Sequence, residues 1–267
     1  MKKKIFVVSD IHGHYTELIN SLNEVGFDEK NDNHLLISLG DMFDRGRESY
    51  KVYKYLKWLA DAGKAICLKG NHEPMFADWL LGNTDDFNYR YNGTKATIDN
   101  FLGSNEDFRS YLSIHSDKRT DNGLKVGNTY FGLWNKWCEK STKKIQKENP
   151  ELTNWLVNLP YYYETKNHIF THASIDLNAL DWHNPIKSWH DLTWDDGSFI
   201  THLNHLSKTI VVGHFGTGNL RKMWQIDSKD KNDYSILKTE DKKVFVDGCT
   251  ILTKKVNVYV VEDELID

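Results

Sequence analysis

Apolar residues at the start of the chain come in short unbroken runs: Ile5–Val8, Leu35–Leu39 and Ala65–Leu68. Runs this short, bounded by polar residues, predict strands buried on both faces. Between them the apolar spacing changes to that of a helix. Thr16–Val25 places Leu18, Ile19, Leu22 and Val25 on one face, with Gly26 as the stop. Ser49–Ala62 does the same with Val52, Leu56, Leu59 and Ala60, stopped by Gly63. Strand, helix, strand, helix, strand predicts two right-handed crossovers and a parallel sheet. From about 74 to 160 the pattern is aromatic, mixed in charge and mostly helical, as in ATIDNFL and ELTNWLVNL. Strand patterns return at HIFT (168–171), TIVV (209–212), KVFV (243–246) and KVNVYVV (255–261). There is no internal repeat and no low-complexity tract. The charged stretch KSTKKIQKENPE (140–151) reads as a solvated helix or loop.

Composition narrows the function classes. The 267 residues include nine Trp, thirteen Tyr and twelve Phe, ample apolar surface for a core. Basic residues number 34 against 38 acidic, a net charge of −4. That gives no support to nucleic-acid binding as the main task, which leaves a basic footprint. Cys67, Cys138 and Cys249 are odd in number and far apart, so a reducing compartment is expected rather than a disulfide framework. The opening MKKKIFVVSD resembles a signal peptide, but IFVV falls short of the roughly 7–15 apolar residues required. No run approaches the ~20 apolar residues of a membrane span. The expectation is a soluble, cytoplasmic protein with no membrane partner: one domain over 1–267 with a mainly helical insert at about 74–160.

The chemistry lies where the strands end. Ile5–Val8 runs into Ser9-Asp10-Ile11-His12-Gly13, Leu35–Leu39 into Gly40-Asp41-Met42-Phe43-Asp44-Arg45-Gly46, and Ala65–Leu68 into Lys69-Gly70-Asn71-His72-Glu73. HIFT ends at His172 and TIVVG at His214. Carboxyl ends of parallel strands are where open α/β sheets gather ligands. A single Asp or His there is usually a cap, a turn or a structural residue. Five successive strands ending this way form a site. Carboxylate, imidazole and amide oxygen together suit Mn²⁺, Fe or Zn²⁺, and the absence of Cys at these ends argues against structural zinc. The donors exceed what one ion needs. Two ions sharing a carboxylate and a water would clamp the attacking and leaving oxygens of phosphoryl transfer.

SDIHG, GDMFDRG and GNHE, in this order and spacing, resemble the N-terminal signatures of the PPP-type serine/threonine phosphatases, the small bacterial and phage kind, within the calcineurin-like metallophosphoesterase superfamily. LPYYYETKNHIFTHASI, VVGHFGTG and VFVDGC resemble that family's later segments, as does WLLGNTDDFNYRYNGTKATI after GNHE. The resemblance implies an α/β fold of two mixed β-sheets packed as a sandwich and flanked by helices. It implies that Asp10 and His12 hold one metal, that Asp41 bridges, and that Asn71, His172 and His214 hold the other. The metals would be divalent, Mn²⁺ first, with Fe or Zn as alternatives. His72 would be the general acid, oriented by Asp44, and Arg45 would grip the phosphoryl oxygens together with Asn71 and His72. Water bridging the metals would attack directly.

The implied activity is phosphomonoester hydrolysis, serine/threonine phosphoproteins or small phosphoesters being the substrates. A symmetrical diadenosine tetraphosphate hydrolase on the same scaffold is the alternative, and a catalytically idle metal-binding protein a third. Asp44 and the Glu ending of GNHE favour the phosphatase. One departure matters: LTWDD (192–196) carries Asp195 and Asp196 where bacterial relatives often have a second phosphate-clamping arginine. Arg221 or Lys222 is a candidate replacement from proximity in sequence. His14, Asn92-Gly93-Thr94 and the tryptophans Trp182, Trp189 and Trp194 are candidates for groove contacts, with helix start or core packing as the plainer readings. Glu73 is expected to support its loop by hydrogen bonding.

Overall fold

The computed structural model describes residues 2–84, 86–103, 106–115, 130–179, 181–195, 197–226 and 232–266. The first part of the chain forms β1 (Lys2–Val8), α1 (Tyr15–Glu24), β2 (His34–Ser38), α2 (Ser49–Asp61) and β3 (Ala65–Cys67). Helices follow: α3 (His72–Leu80), α4 (Asp86–Tyr91), α5 (Thr94–Leu102), α6 (Phe108–His115), α7 (Tyr130–Glu148) and α8 (Leu152–Val157). The remainder is β4 (Tyr162–Glu164), β5 (His168–Thr171), α9 (Pro185–Thr193), β6 (Thr209–Val212), α10 (Thr217–Met223), β7 (Leu237–Lys238), β8 (Lys243–Phe245), α11 (Thr250–Thr253) and β9 (Tyr259–Glu264).

The strands make two mixed sheets, ordered β3-β2-β1-β9 and β4-β5-β6-β8-β7. In each, three strands run parallel: β1, β2 and β3 in the first, β5, β6 and β8 in the second. The edges β9, β4 and β7 are antiparallel. The period-2 alternation of strand side chains sorts the apolar runs into layers. Ile5, Val7, Leu35, Ile37 and Leu68 of the first sheet meet Phe170, Val211, Val244 and Val246 of the second in a central core. Phe6, Val8 and Leu36 point the other way, into the helical layer. Ile169, Ile210, Val212 and Phe245 face an outer layer with Trp182, Leu192 and Leu220. Burial on both faces is why these strands read as continuous apolar runs. The two mixed sheets flanked by helices agree with the expected architecture.

Between β3 and β4 the described residues form helices and no strand. Trp79, Tyr89, Phe108, Trp134 and Trp137 pack with centroids about 5–6 Å apart, Trp79 stacked on Tyr89 and the other pairs edge-on or tilted, filling the space between α3 and α7. KSTKKIQKE is the second half of α7, where Ser141, Thr142 and Ile145 are buried and the lysines face out.

Two boundaries differ from the sequence reading. β1 begins at Lys2 rather than Ile5, and the last strand is Tyr259–Glu264 rather than 255–261. The reason is pairing. Lys2, Lys3 and Lys4 lie opposite Glu264, Asp263 and Glu262 in antiparallel register, so the backbone ladder takes in two polar tracts that look like strand flanks, and Lys2 pairs with Glu262 at 2.7 Å. Val256, expected in that strand, lies before it, fully buried in the helical layer. Asp263 also ties the two sheets: buried, it accepts from Thr165 Oγ1 at 2.6 Å and pairs with His168 Nδ1 at 2.6 Å.

Candidate active site

The carboxyl ends of all six parallel strands meet at one edge of the sandwich. Asp10 follows β1, Asp41 follows β2 and Asn71 follows β3; His172, His214 and Asp247 follow β5, β6 and β8. They line or underlie a cavity of about 430 Å³ whose wall includes Asp10, His12, Asp41, Arg45, Asn71, His72 and His214. His172 lies beneath, fully buried. Every residue singled out by the motifs is thus brought together, from positions as far apart in sequence as Asp10 and His214. Two hydrogen bonds weld the sheets here. His214 N donates to Asp10 Oδ2 at 2.9 Å, and His172 Nδ1 donates to Leu39 O at 3.2 Å.

The backbone is bent into place. Asp10, His12, Asp41, Asp44, Arg45 and His214 all have φ between 46° and 69°, left-handed conformations of a kind that costs a non-glycine residue of order 1 kcal/mol or more. Such strain persists only where surrounding bonds over-determine it. Glu73 supplies three, accepting from Asp41 N at 3.0 Å, Met42 N at 2.8 Å and Gly70 N at 2.7 Å. The two glycines framing the second motif allow close approach. A Cβ on Gly40 would stand 2.4 Å from Gly70 N, and one on Gly46 would stand 2.1 Å from His12 O.

Donor atoms converge without protons between them. His12 Nδ1 donates to Phe43 O at 2.8 Å, leaving Nε2 as an acceptor 3.9 Å from Asp10 Oδ1 and 3.7 Å from Asp41 Oδ2. His172, its Nδ1 donating to Leu39, turns Nε2 to Asn71 Oδ1 at 3.0 Å and Asp41 Oδ1 at 3.4 Å. Burial lowers the pKa of His12, His172 and His214, so all three are neutral, the form that ligates a cation. Burial pushes Asp41 up to about 6, with Asp10 adding repulsion, against the attraction of His72. Lone pairs facing lone pairs in a buried space call for a cation. Two candidate groups exist among the described residues: His12, Asp41 and His72, and Asp41, His172 and His214, sharing Asp41. One cation is at hand in the protein itself. The Arg45 guanidinium donates to His12 Nε2 at 2.8 Å and lies 3.2 Å from His72 Nε2.

His72 differs from the other three imidazoles. Its Nδ1 lies 2.7 Å from Asp44 Oδ2, and Asp44 is fully buried. Burial opposes a charge on His72, but Asp41 and the bond from Asp44 outweigh it and raise the pKa to about 9. Distance alone would admit His72 as a ligand; a protonated Nε2 has no lone pair to give. Asp44 is held in turn. Thr97 Oγ1 donates to its Oδ1 at 2.8 Å, Thr94 Oγ1 to its Oδ2 at 3.2 Å, and Asp44 N donates back to Thr97 Oγ1 at 2.7 Å.

Several residues stand apart from their sequence expectations. Arg221 is no phosphate clamp: its guanidinium donates to Ser235 O and Ile236 O and pairs with Asp233 at 3.1 Å, pinning the segment before β7. Lys222 is exposed and absent from the cavity wall. Asp195 turns the chain at φ 58°, accepting from Gly197 N; Asp196 lies outside the described residues. Arg45 is therefore the one arginine or lysine on this wall among the described residues. His14 turns its Nδ1 to the backbone carbonyls of Ile11 and His12, and Lys254 meets its Nε2, so it stays off the wall. Trp182 packs in the outer core and Trp189 is exposed, whereas Trp194 lines the cavity with its ring 6.1 Å from that of His214. Gly93 caps α5, and Asn92 lines the cavity.

Two features were missed. Asp247, buried on the wall, follows a parallel strand as the other site residues do, and that position in VFVDGC was its signal. Thr97 left none: it meets Asp44 because α5 packs on α2, whereas Thr94, expected at a helix start or in the groove, begins α5 and turns its hydroxyl to Asp44.

The family model for the calcineurin-like phosphoesterases matches residues 3–244. Over 179 residues the chain is 27% identical to the symmetrical bis(5'-nucleosyl)-tetraphosphatase of Buchnera aphidicola, covering 66% of this chain and 62% of that one. Over 96 residues it is 44% identical to serine/threonine-protein phosphatase 2 of Escherichia coli, covering 32% and 40%. It thus spans less than two thirds of either relative. The fold is similar to that of the cold-active protein-tyrosine phosphatase of a psychrophilic Shewanella, with a TM-score of 0.53 at 18% identity, covering 97% of this chain and 75% of that one. No helix of the described residues is long and apolar enough to cross a membrane. With the family model covering residues 3–244 and the donor clusters gathered at the sandwich edge, this chain belongs to the calcineurin-like phosphoesterases, hydrolases of phosphoric esters that typically bind two divalent metals.

Proposed function

We propose that the protein is a two-metal phosphomonoester hydrolase acting on phosphoserine or phosphothreonine in proteins. Asp10 and His12 would hold the first cation and Asn71, His172 and His214 the second, with Asp41 available to both. The mixed nitrogen and oxygen donors suit Mn²⁺, with Fe or Zn²⁺ as alternatives. When bound, such a pair supplies the Lewis acidity that makes a water nucleophilic near neutral pH and offsets phosphoryl charge. Everything else comes from the chain. Arg45 grips the equatorial oxygens, Asn71 and His72 flank the phosphoryl group, and His72 Nε2–H gives its proton to the leaving oxygen as the bond to phosphorus breaks. Asp44 keeps that proton on His72.

The buried Asp44–His72 pair at 2.7 Å carries this reading. A proton donor matters most for an alkoxide leaving group, as in a serine or threonine phosphate. The middle region frames the cavity through Met75 of α3 and through Asn92, between α4 and α5. Three unpaired thiols support a cytoplasmic setting.

A symmetrical dinucleoside polyphosphate hydrolase is the second reading, favoured by the longer alignment with the Buchnera protein, 66% of this chain against 32% for the E. coli phosphatase. Rates with Mn²⁺ on a phosphoserine peptide, p-nitrophenyl phosphate and diadenosine tetraphosphate separate them, the peptide being preferred on the first reading. His72→Asn should keep both metals and lose about 10²–10⁴-fold on the peptide but much less on p-nitrophenyl phosphate, whose leaving group needs no proton. Equal losses on both would remove His72 as the acid. No turnover of any of the three would leave a metal-binding protein.

A further inference from the structure

A second cavity of about 450 Å³ opens beside the first, and Arg45 lines both. Around it stand Arg47, Arg90 and Lys95, with Asp99 the one carboxylate on its wall. Four cations against one carboxylate reverse the sign of a chain whose net charge is −4.

These cations are placed by different means. Arg47 is anchored through its backbone, its carbonyl accepting from Asn100 Nδ2 at 2.6 Å, and its exposed guanidinium has no partner among the described residues. Arg90 pairs with Asp86 at 2.6 Å, and Lys95 pairs with Asp99, each one helical turn away. Exposed pairs of this kind are weak and exchange readily for a better anion. Arg45 N donates to Gly93 O at 3.1 Å, which fixes the backbone of the residue common to both walls.

We propose that this second cavity is a subsite for a second phosphate group carried by the substrate, adjacent to the phosphoryl group being cleaved. The proposal rests on the first cavity being the phosphoryl site. Arg45 and Arg47 share the wall of the second cavity, so a substrate whose phosphate is held at Arg45 would direct a neighbouring phosphate toward Arg47, whose planar fork suits phosphate in two-point contact. Arg90 and Lys95 extend the positive field outward and raise the local concentration of such a substrate. The second phosphate comes either from an adjacent phosphorylated side chain of a peptide or from the next unit of a polyphosphate chain.

The test compares wild type with Arg47→Ala, Arg47→Lys and Arg90→Ala, all at exposed positions, with free Mn²⁺ held constant. The substrates are p-nitrophenyl phosphate, a singly phosphorylated serine peptide, the same peptide with two adjacent phosphoserines, and diadenosine tetraphosphate. For Arg47→Ala, kcat/KM should hold within about twofold on the two single-phosphate substrates and fall about tenfold on a substrate with a second phosphate, through KM. Arg47→Lys should recover part of that loss, and Arg90→Ala should show a smaller loss of the same kind. A loss confined to the doubly phosphorylated peptide assigns the peptide source; one confined to diadenosine tetraphosphate assigns the polyphosphate source. Equal change on all four substrates, or none on any, overturns the subsite while the catalytic reading stands. A wild type inactive on all four removes the reading beneath it.

Discussion

Thr97 is the residue whose replacement tests the site's construction most directly. It is fully buried on α5 and touches neither cavity, yet its hydroxyl donates to Asp44 Oδ1 at 2.8 Å and accepts from Asp44 N at 2.7 Å. Ser49 Oγ lies 3.2 Å away. Thr97→Val keeps the shape and removes all of this. A hydrogen bond to a buried carboxylate contributes about 1.5–3 kcal/mol, and a stranded buried N–H costs about 1–3 kcal/mol. The sum, about 2.5–6 kcal/mol, lowers Tm by roughly 5–24 °C for a chain of this size. Asp44 keeps Thr94 at 3.2 Å on its other oxygen, so the pair with His72 loosens rather than vanishes. Turnover of an alkyl phosphate should fall about tenfold while p-nitrophenyl phosphate is little affected. Thermal unfolding by circular dichroism and the two rate measurements check this together. Thr97→Ser, which restores the hydroxyl, should recover most of both losses. A Thr97→Val protein that melts within about 2 °C of wild type and keeps its alkyl phosphatase rate would refute the claim that Thr97 holds Asp44.

Asp41→Asn should lose metal and turnover together, read as metal content by atomic absorption beside rates with Mn²⁺; full activity would sink the shared-carboxylate arrangement. Asp263→Asn tests the seam between the sheets. Hydrogen bonds from His168, Thr165 and the backbone hold the folded carboxyl below its ordinary range despite the cost of burial. A depressed pKa means stability present above the unfolded value of about 3.9 and lost as pH falls through the folded one. The variant should therefore unfold about 1–3 kcal/mol more easily at pH 7, because donors face both carboxylate oxygens and one of these becomes an NH2, and show a flatter acid limb in urea titrations run between about pH 5 and 2. An unchanged acid limb would mean that Asp263 does not link proton binding to folding.

Most of the site was legible because parallel strands deliver their carboxyl ends locally. Asp10, Asp41, Asn71, His172 and His214 each follow an apolar run within two or three residues, so the pattern that predicts the strand also predicts the rim. Asp247 obeys the same rule and was passed over. Contacts made by packing left no such trace. Thr97 is 53 residues from Asp44, and Asp263 is 95 from His168; nothing local marks either partner. Arg221 looked free for phosphate because sequence shows a side chain's charge and not what already surrounds it.

By itself, then, the sequence determined the layers and the chemistry: apolar runs buried on both faces must be strands in a covered sheet, and Asp, His and Asn at their ends must gather at one edge. Tertiary structure alone decided which imidazole carries a proton. His12, His172 and His214 are driven neutral by burial, while at His72 the same burial is outweighed by Asp41 and by the bond from Asp44, 2.7 Å from its Nδ1. Charge in a buried group depends on its neighbours' positions to within an ångström, and only the folded chain specifies those.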